Sequence, residues 1–393
     1  MHVHTTIEAQ PGMESVMQDI FTYADELGPA KIIHVYEPSV SLKAVLVVDN
    51  VAMGPAIGGL RMAPDVSTEE CFRLARAMTL KNAAAGLPHG GAKSVLYGDP
   101  KMSRPEKEKL IRAFASSLRS THEYIFGPDM GTDEGCMAWV KDEIGRSVGL
   151  PREIGGIPLD EVGATGWGIS HAVDVALPFC NFQLSGARVV VQGFGSVGKN
   201  AARFLARKGA RLIAANDSQG TIHNPQGLDI ERLVALKNAG KSVLDYSEGM
   251  KLARDAVIDI ECDIWIPAAR PDVIHEDNVH RLRTKLVVEG ANIPLTYSAE
   301  ESLHKRGVLC VPDFIANAGG VICGALEYQG ASQTAAFQII EEKLRYNTRL
   351  VLEESASKKI LPRQAALQLA VARVKKAMSY RRWSLFSSAP GSI

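Results

Sequence analysis

The chain has 393 residues, enough for two or three domains, and its 44 Lys plus Arg are balanced by 44 Asp plus Glu. That balance leaves no basic field for gathering phosphates and argues against a nucleic-acid partner. A content of 46% hydrophobic and 22% charged residues excludes a mainly disordered chain. No apolar run approaches the roughly 18–20 residues of a membrane span, and the start, Met1 to Glu8, lacks a basic-then-apolar secretion signal. The six Cys form no C-x-x-C pair, so no zinc site or disulfide framework is expected. These features predict a cytoplasmic, multi-domain protein without a metal site.

In chain order, Lys31–Tyr36 and Ala44–Val48 read as strands. A helix follows Ser67, which with Glu70 forms an S-x-x-E capping box; its stripe is Cys71, Leu74, Ala75 and Met78, and Gly86 ends it. A second box, Ser103 with Glu106, opens a helix carrying Leu110, Ile111, Phe114 and Leu118. A strand at Glu123–Phe126, a Gly/Pro loop and a helix with Asp133 and Glu134 in its first turn come next. Residues 148–158, rich in Gly and Pro, mark a hinge or domain boundary. Beyond a further helix, strands at Arg188–Val191, Arg211–Ala214, Asp263–Ile266, Lys285–Val288 and Val308–Val311 alternate with helices, the pattern of a parallel sheet covered on both faces. From about Ala335 the chain reads as helical to Met378, and Ser379 onward as a tail with a basic end (Lys375, Lys376, Arg381, Arg382).

Gly193-Phe-Gly195-Ser196-Val197-Gly198 is a G-x-G-x-x-G placed directly after a strand and at the start of a helix that Gly209 stops. The first glycine allows a tight turn, the second admits a pyrophosphate, and the third packs helix on strand. The helix N-terminus supplies amides and positive dipole to a phosphate. Asp217, at the end of the next strand, is placed to bind ribose hydroxyls. It would repel a 2′-phosphate, and Ser218 and Gln219 bring no positive charge, so NAD is expected over NADP.

Lys81 shares a helix face with Leu74 and Met78, where a lysine is costly unless paired or used; alternatively its stem snorkels at the helix end. Lys93 sits in Leu87-Pro-His89-Gly90-Gly91-Ala-Lys93, read as a turn on which a ligand can lie. Near a second lysine and desolvated, Lys93 would have a lowered pKa and serve as a general base; taken alone it reads as a solvated charge. Asp129, in Phe126-Gly127-Pro-Asp129, lies in a loop where functional residues concentrate, or caps a turn. His89, Cys71 and Cys136 read as structural.

Taken together, Gly54–Arg61, Met78–Lys81, Pro88–Lys93, Pro128–Thr132, Ala164–Gly168, Gly193–Gly198, Glu289–Asn292 and Pro312–Gly320 resemble the glutamate/leucine/phenylalanine/valine dehydrogenase family over nearly the whole chain. The resemblance implies an α/β protein: an N-terminal α/β substrate and oligomerisation domain (1–150, completed by C-terminal helices at about 335–393), a Rossmann dinucleotide-binding domain (151–334), and a cleft between them. It implies reversible oxidative deamination of an L-amino acid to a 2-oxo acid and ammonium with NAD, by a homo-oligomer. Lys93 would be the catalytic lysine, Asp129 the proton shuttle and Lys81 the partner of the substrate α-carboxylate. Ile57, Gly58, Gly59, Gly127, Val321 and Gly324 complete the expected substrate site. Gly193, Gly195, Ser196, Val197, Gly198, Asp217, Thr165, Ala268, Asn292 and Asn317 form the expected cofactor site.

Glutamate-specific members carry a lysine where this chain has Ile57, and a serine where it has Gly324. A glutamate carboxylate facing Ile57 would be buried unpaired, which costs several kcal/mol. The resemblance therefore points to the leucine and phenylalanine branch. Gly127 and Gly324 leave room for a large, aromatic side chain. Ser94, beside Lys93 where glutamate members have glycine, is expected to alter the lysine's environment. The alternatives are a glutamate dehydrogenase that recognises its side chain by other residues, and a dinucleotide-binding homologue without turnover.

Overall fold

The computed structural model describes residues 20–380; the start of the chain and Arg381 and Arg382 lie outside the described residues. The first half contains strands β1 (Lys31–Glu37), β2 (Leu42–Asn50) and β3 (Ala56–Ala63), helix α1 (Thr68–Ala84), β4 (Gly90–Tyr97), α2 (Arg104–Ser117), β5 (Tyr124–Pro128) and α3 (Glu134–Ile144). Its five strands pair in the order β1-β2-β4-β3-β5. β3 runs parallel to both β4 and β5, so these three strands share a direction and their ends open on one side.

Two of the three strands at the centre of this sheet are hidden in the sequence by glycine. Gly58-Gly59 lies inside β3, and Gly90-Gly91, read above as a turn, opens β4. The glycines are there for close approach: a Cβ on Gly58 would fall 1.7 Å from the Ala92 carbonyl oxygen, and one on Gly91 would fall 2.0 Å from the Thr79 amide nitrogen. Helix α1 can therefore lie directly on β4. Ser67 caps α1 by accepting from the Glu70 amide at 3.1 Å. The reciprocal half of the expected box is missing, because the Glu70 carboxylate pairs with Arg61 at 2.5 Å.

The second half contains α4 (Leu159–Val162), α5 (Ala164–Cys180), β6 (Arg188–Gln192), α6 (Ser196–Arg207), β7 (Arg211–Asn216), β8 (Thr221–His223), α7 (Ile230–Asn238), β9 (Met250–Leu252), β10 (Ile264–Pro267), β11 (Leu286–Val288), α8 (Tyr297–Lys305), β12 (Leu309–Val311), α9 (Asp313–Ala316), α10 (Gly319–Tyr328), α11 (Gln333–Lys358) and α12 (Pro362–Tyr380). The sheet order is β12-β11-β10-β6-β7-β8-β9. From β12 to β7 the pairing is parallel, and β8 and β9 add an antiparallel edge. Val189, Val190 and Val191 are all buried, as a central strand covered on both faces requires.

The C-terminal helices tie the halves together. Trp167 of α5 donates its indole N–H to the Phe337 carbonyl of α11 at 3.0 Å. Arg373 of α12 donates to the carbonyls of Ala83 and Ala84 at the end of α1, at 3.1 and 2.7 Å. α12 runs through Tyr380, past the point where a tail was expected. The Gly/Pro stretch at 148–158 is pinned: the Glu327 carboxylate accepts from the amides of Leu150 and Ile157 at 3.1 and 2.7 Å. No helix among the described residues is long and apolar enough to cross a membrane. Nor, among them, do three His, Cys, Asp or Glu side chains gather as for a metal ion.

Candidate active site

A cavity of about 420 Å³ opens between the halves. At one end lies an ion pair between the Lys93 ammonium and the Asp129 carboxylate, at 2.5 Å. Lys93 is not on a turn but inside β4, and only 6% exposed. Asp129 directly follows β5. Gly59 of β3 lies between them: a Cβ there would fall 2.8 Å from the Asp129 Cβ and 3.2 Å from the Lys93 Nζ. Only a glycine lets the two side chains meet over that strand.

Arg61, which the sequence reading missed, donates to the same Asp129 oxygen at 3.1 Å. Its signal was the period of two along a strand, which puts Ile57, Gly59 and Arg61 on one face. Burial pushes the Asp129 carboxyl up, but Lys93, Arg61 and the Met130 amide outweigh it and hold the group below the usual carboxylate range. Asp129 is therefore a carboxylate at neutral pH.

Lys81 is delivered by the last turn of α1. Its ammonium points into the cavity and lies 3.5 Å from the Asn292 Oδ1. Burial in the cleft lowers its pKa to about 8, with Asp313 opposing, Lys93 adding and Asp129 opposing. Desolvation thus acts on Lys81, while Lys93 meets an opposite charge in Asp129 at 2.5 Å. Ser94 does not adjust Lys93. Successive strand residues face opposite ways, and the Ser94 hydroxyl bonds the Tyr124 hydroxyl at 2.8 Å inside the core.

The far end of the cavity is apolar. Ile57, Val148 and Val321 line it, with Gly127 and Gly324 each placing a would-be Cβ 3.5 Å from the Val148 Cγ2. Among the described residues lining the cavity, only Lys81 and Lys93 are cationic. Gly58 does not line it: its Cβ position is filled by the Ala92 backbone, and its carbonyl accepts from the Tyr124 hydroxyl at 3.0 Å.

A second cavity, of about 540 Å³, lies along the ends of β6, β7 and β10 and is lined by Gly193, Gly195, Asp217 and Ala268. The residues fit a dinucleotide. A Cβ on Gly195 would meet nothing within 4 Å, so the turn into α6 is bare for a phosphate, whereas Gly193 and Gly198 are packed against Ala269 and against each other. Thr165, Val197, Asn292 and Asn317 line the first cavity. Asn317 donates to the Gly290 and Ala291 carbonyls and to Asn292 at 3.3, 3.2 and 3.1 Å. Its buried Oδ1 has no protein partner, an acceptor left over for a ligand's donor. Ser196 lines neither cavity: its hydroxyl donates to the Asp160 carbonyl at 3.0 Å.

Positive charge does stand beside Asp217, for Lys237, far off in sequence on α7, lies 2.7 Å from its carboxylate.

A family described as "Glutamate/Leucine/Phenylalanine/Valine dehydrogenase" matches residues 155–382. One described as "Glu/Leu/Phe/Val dehydrogenase, dimerisation domain" matches residues 33–146. A glutamate dehydrogenase of Aeropyrum pernix is 37% identical over 358 residues, 85% of each chain. An NAD-specific glutamate dehydrogenase of Staphylococcus aureus is 35% identical over 353 residues, again 85% of each. The leucine-bound form of the hetero-hexameric glutamate dehydrogenase from Thermus thermophilus superposes with a TM-score of 0.81 at 30% identity, covering 91% of both chains. The similarity thus runs to proteins named glutamate dehydrogenases. That corrects the expectation of a leucine and phenylalanine branch, which rested on Ile57 and Gly324 alone.

Proposed function

Because this chain belongs to the glutamate/leucine/phenylalanine/valine dehydrogenase family and is an amino acid dehydrogenase, we propose that its substrate is an L-amino acid with an apolar side chain. The observation that carries this reading is the wall formed by Ile57, Val148, Val321 and Gly324, without a cation. A substrate carboxylate buried there would lose its hydration with no partner, at a cost of several kcal/mol. Gly127 and Gly324 leave space at Val148 for a branched or aromatic group.

The overall reaction is L-amino acid, water and NAD⁺ to 2-oxo acid, ammonium, NADH and a proton. The Lys81 ammonium binds the α-carboxylate, and desolvation strengthens that pairing. Asp129, ionised at neutral pH, takes the proton of the substrate amine. The nicotinamide dinucleotide, when bound, supplies the acceptor for the hydride at Cα. Water then adds at Cα, and Lys93, having first released its own proton to solvent as the one proton of the overall reaction, takes the proton of the water; Asp129, 2.5 Å away, returns the amine proton to the departing nitrogen. The Asn292 and Asn317 amides hold the cofactor end of the cleft. A homo-oligomer built on the N-terminal sheet accords with the dimerisation family matched at 33–146.

The names of relatives 35–37% identical favour a second reading, a glutamate dehydrogenase that holds the side-chain carboxylate by other groups. The test follows the absorbance of reduced nicotinamide with leucine, valine, phenylalanine, tryptophan and glutamate. Turnover on apolar substrates with glutamate at least a hundredfold slower is expected; glutamate as the best substrate would overturn the Ile57 argument and leave the family standing.

A further inference from the structure

This inference rests on the reading that a nicotinamide dinucleotide binds along the ends of β6 and β7, and it concerns the ribose end of that site. In such folds the acid closing the second strand accepts hydrogen bonds from ribose hydroxyls and repels a 2′-phosphate. A carboxylate has about four acceptor positions. In Asp217 all four are taken by the protein. Oδ1 accepts from the Ser242 hydroxyl at 3.0 Å and the Gln219 amide at 3.0 Å. Oδ2 accepts from the Lys237 ammonium at 2.7 Å and the Val243 amide at 2.9 Å.

The donors come from the turn after β7, from α7 and from the short turn 242–245. Asp217 is therefore a tie between those segments, with its side chain only 10% exposed. A ribose hydroxyl would have to displace one of these bonds to reach it. Lys237 is in the opposite position. Its ammonium has three donors, one of which goes to Asp217, and its side chain remains 24% exposed. It lines the cavity with Ser218 and Arg254. The negative charge of Asp217 is met at contact distance by Lys237, and that of Asp255 by Arg254 at 3.3 Å. Those two acids are thus compensated, and the third that lines the cavity, Asp272, shares it with Arg270 and Arg281.

We infer that Lys237, rather than Asp217, reads the ribose 2′ position, and that the site accepts the 2′-phosphate of NADP beside the plain hydroxyl of NAD. The free N–H groups of Lys237, with the Ser218 hydroxyl and the Arg254 guanidinium, supply charge-assisted donors to the phosphate. With a plain ribose they leave neutral-acceptor bonds, which are weaker.

Direct binding tests this. NADH and NADPH are titrated into the protein without amino acid, following the fluorescence of reduced nicotinamide, so the result does not depend on the substrate. The wild-type Kd values are expected within about tenfold of each other. Lys237→Gln should weaken NADPH by about tenfold or more while NADH changes less than threefold, and Lys237→Arg should restore NADPH. A wild-type preference for NADH beyond about tenfold overturns the inference, as does a Lys237→Gln variant that weakens both alike. Failure of both dinucleotides to bind the wild type would sink the underlying dinucleotide reading instead. Turnover with NADP⁺ in the amino-acid assay then gives an independent second readout.

Discussion

Each end of the cleft is organised by a lysine–aspartate pair, and the two pairs differ in what holds them. Lys93 and Asp129 stand on β4 and at the end of β5, two strands flanking β3, and meet at 2.5 Å with the lysine almost sealed. Lys237 and Asp217 meet at 2.7 Å, but they come from a helix and a strand end, and the lysine side chain stays 24% exposed. Sheet register places the first pair, since Gly59 pairs with Gly127 beside it. Side-chain hydrogen bonds place the second. A pair that moves a proton needs geometry held to a fraction of an ångström. A pair that meets a variable ligand can tolerate a flexible stem.

The largest expected effect comes from removing the strand-held base. Lys93→Met should lower kcat by about 10²–10⁴, the range of general acid–base contributions, with the far-UV circular dichroism unchanged because Arg61 still compensates Asp129. A kcat within threefold of wild type would leave Lys93 as a packing residue and erase the contrast between the two pairs.

Next, Ile57→Lys puts a cation at the apolar wall. The ratio of kcat/KM for glutamate over that for the best apolar substrate should rise about a hundredfold or more, matching the several kcal/mol at stake in an unpaired buried charge. An unchanged ratio would mean that the side chain of the substrate lies elsewhere.

Gly59→Ala sharpens the argument about register. Its Cβ would sit 2.8 Å from the Pro128 carbonyl oxygen and from the Asp129 Cβ, pushing the pair apart, and misplacement by about 1 Å costs on the order of a hundredfold in rate. Steady-state kcat, measured with NADH binding shown intact, checks it.

The smallest effect is a pH limb. Lys81 binds a carboxylate only as an ammonium, and its pKa is lowered to about 8. Below pH 8 that charge is present in the free enzyme. As pH rises through 8 it is lost, so kcat/KM should fall by up to tenfold per pH unit. Lys81→Arg should move the limb to higher pH. A profile flat to pH 10 would contradict the burial of Lys81.

Much of this arrangement was legible in residue order. The capping residues Ser67 and Ser103, the strand before Gly193 and the stop at Gly86 all obey local rules. The elements missed at the active site share a cause. β3 and the start of β4 are written in glycine, which locally reads as a turn, and only the neighbouring Ala92, Thr79 and Pro128 backbones explain why side chains are excluded. Arg61 and Lys237 were missed for a related reason: each reaches its aspartate across a long stretch of chain.

By itself, then, the sequence determined the α/β architecture, the dinucleotide loop and the identity of Lys81, Lys93 and Asp129 as candidates, because helix caps, strand periods and glycine turns act over a few residues. Tertiary structure alone decided how Lys81 is desolvated, which carboxylate is free to accept, and where the apolar wall of the pocket stands. Those properties depend on dielectric and on the count of donors within about 3 Å, and the groups that set them, Asp313 near Lys81 or Lys237 and Val243 around Asp217, come from distant parts of the chain.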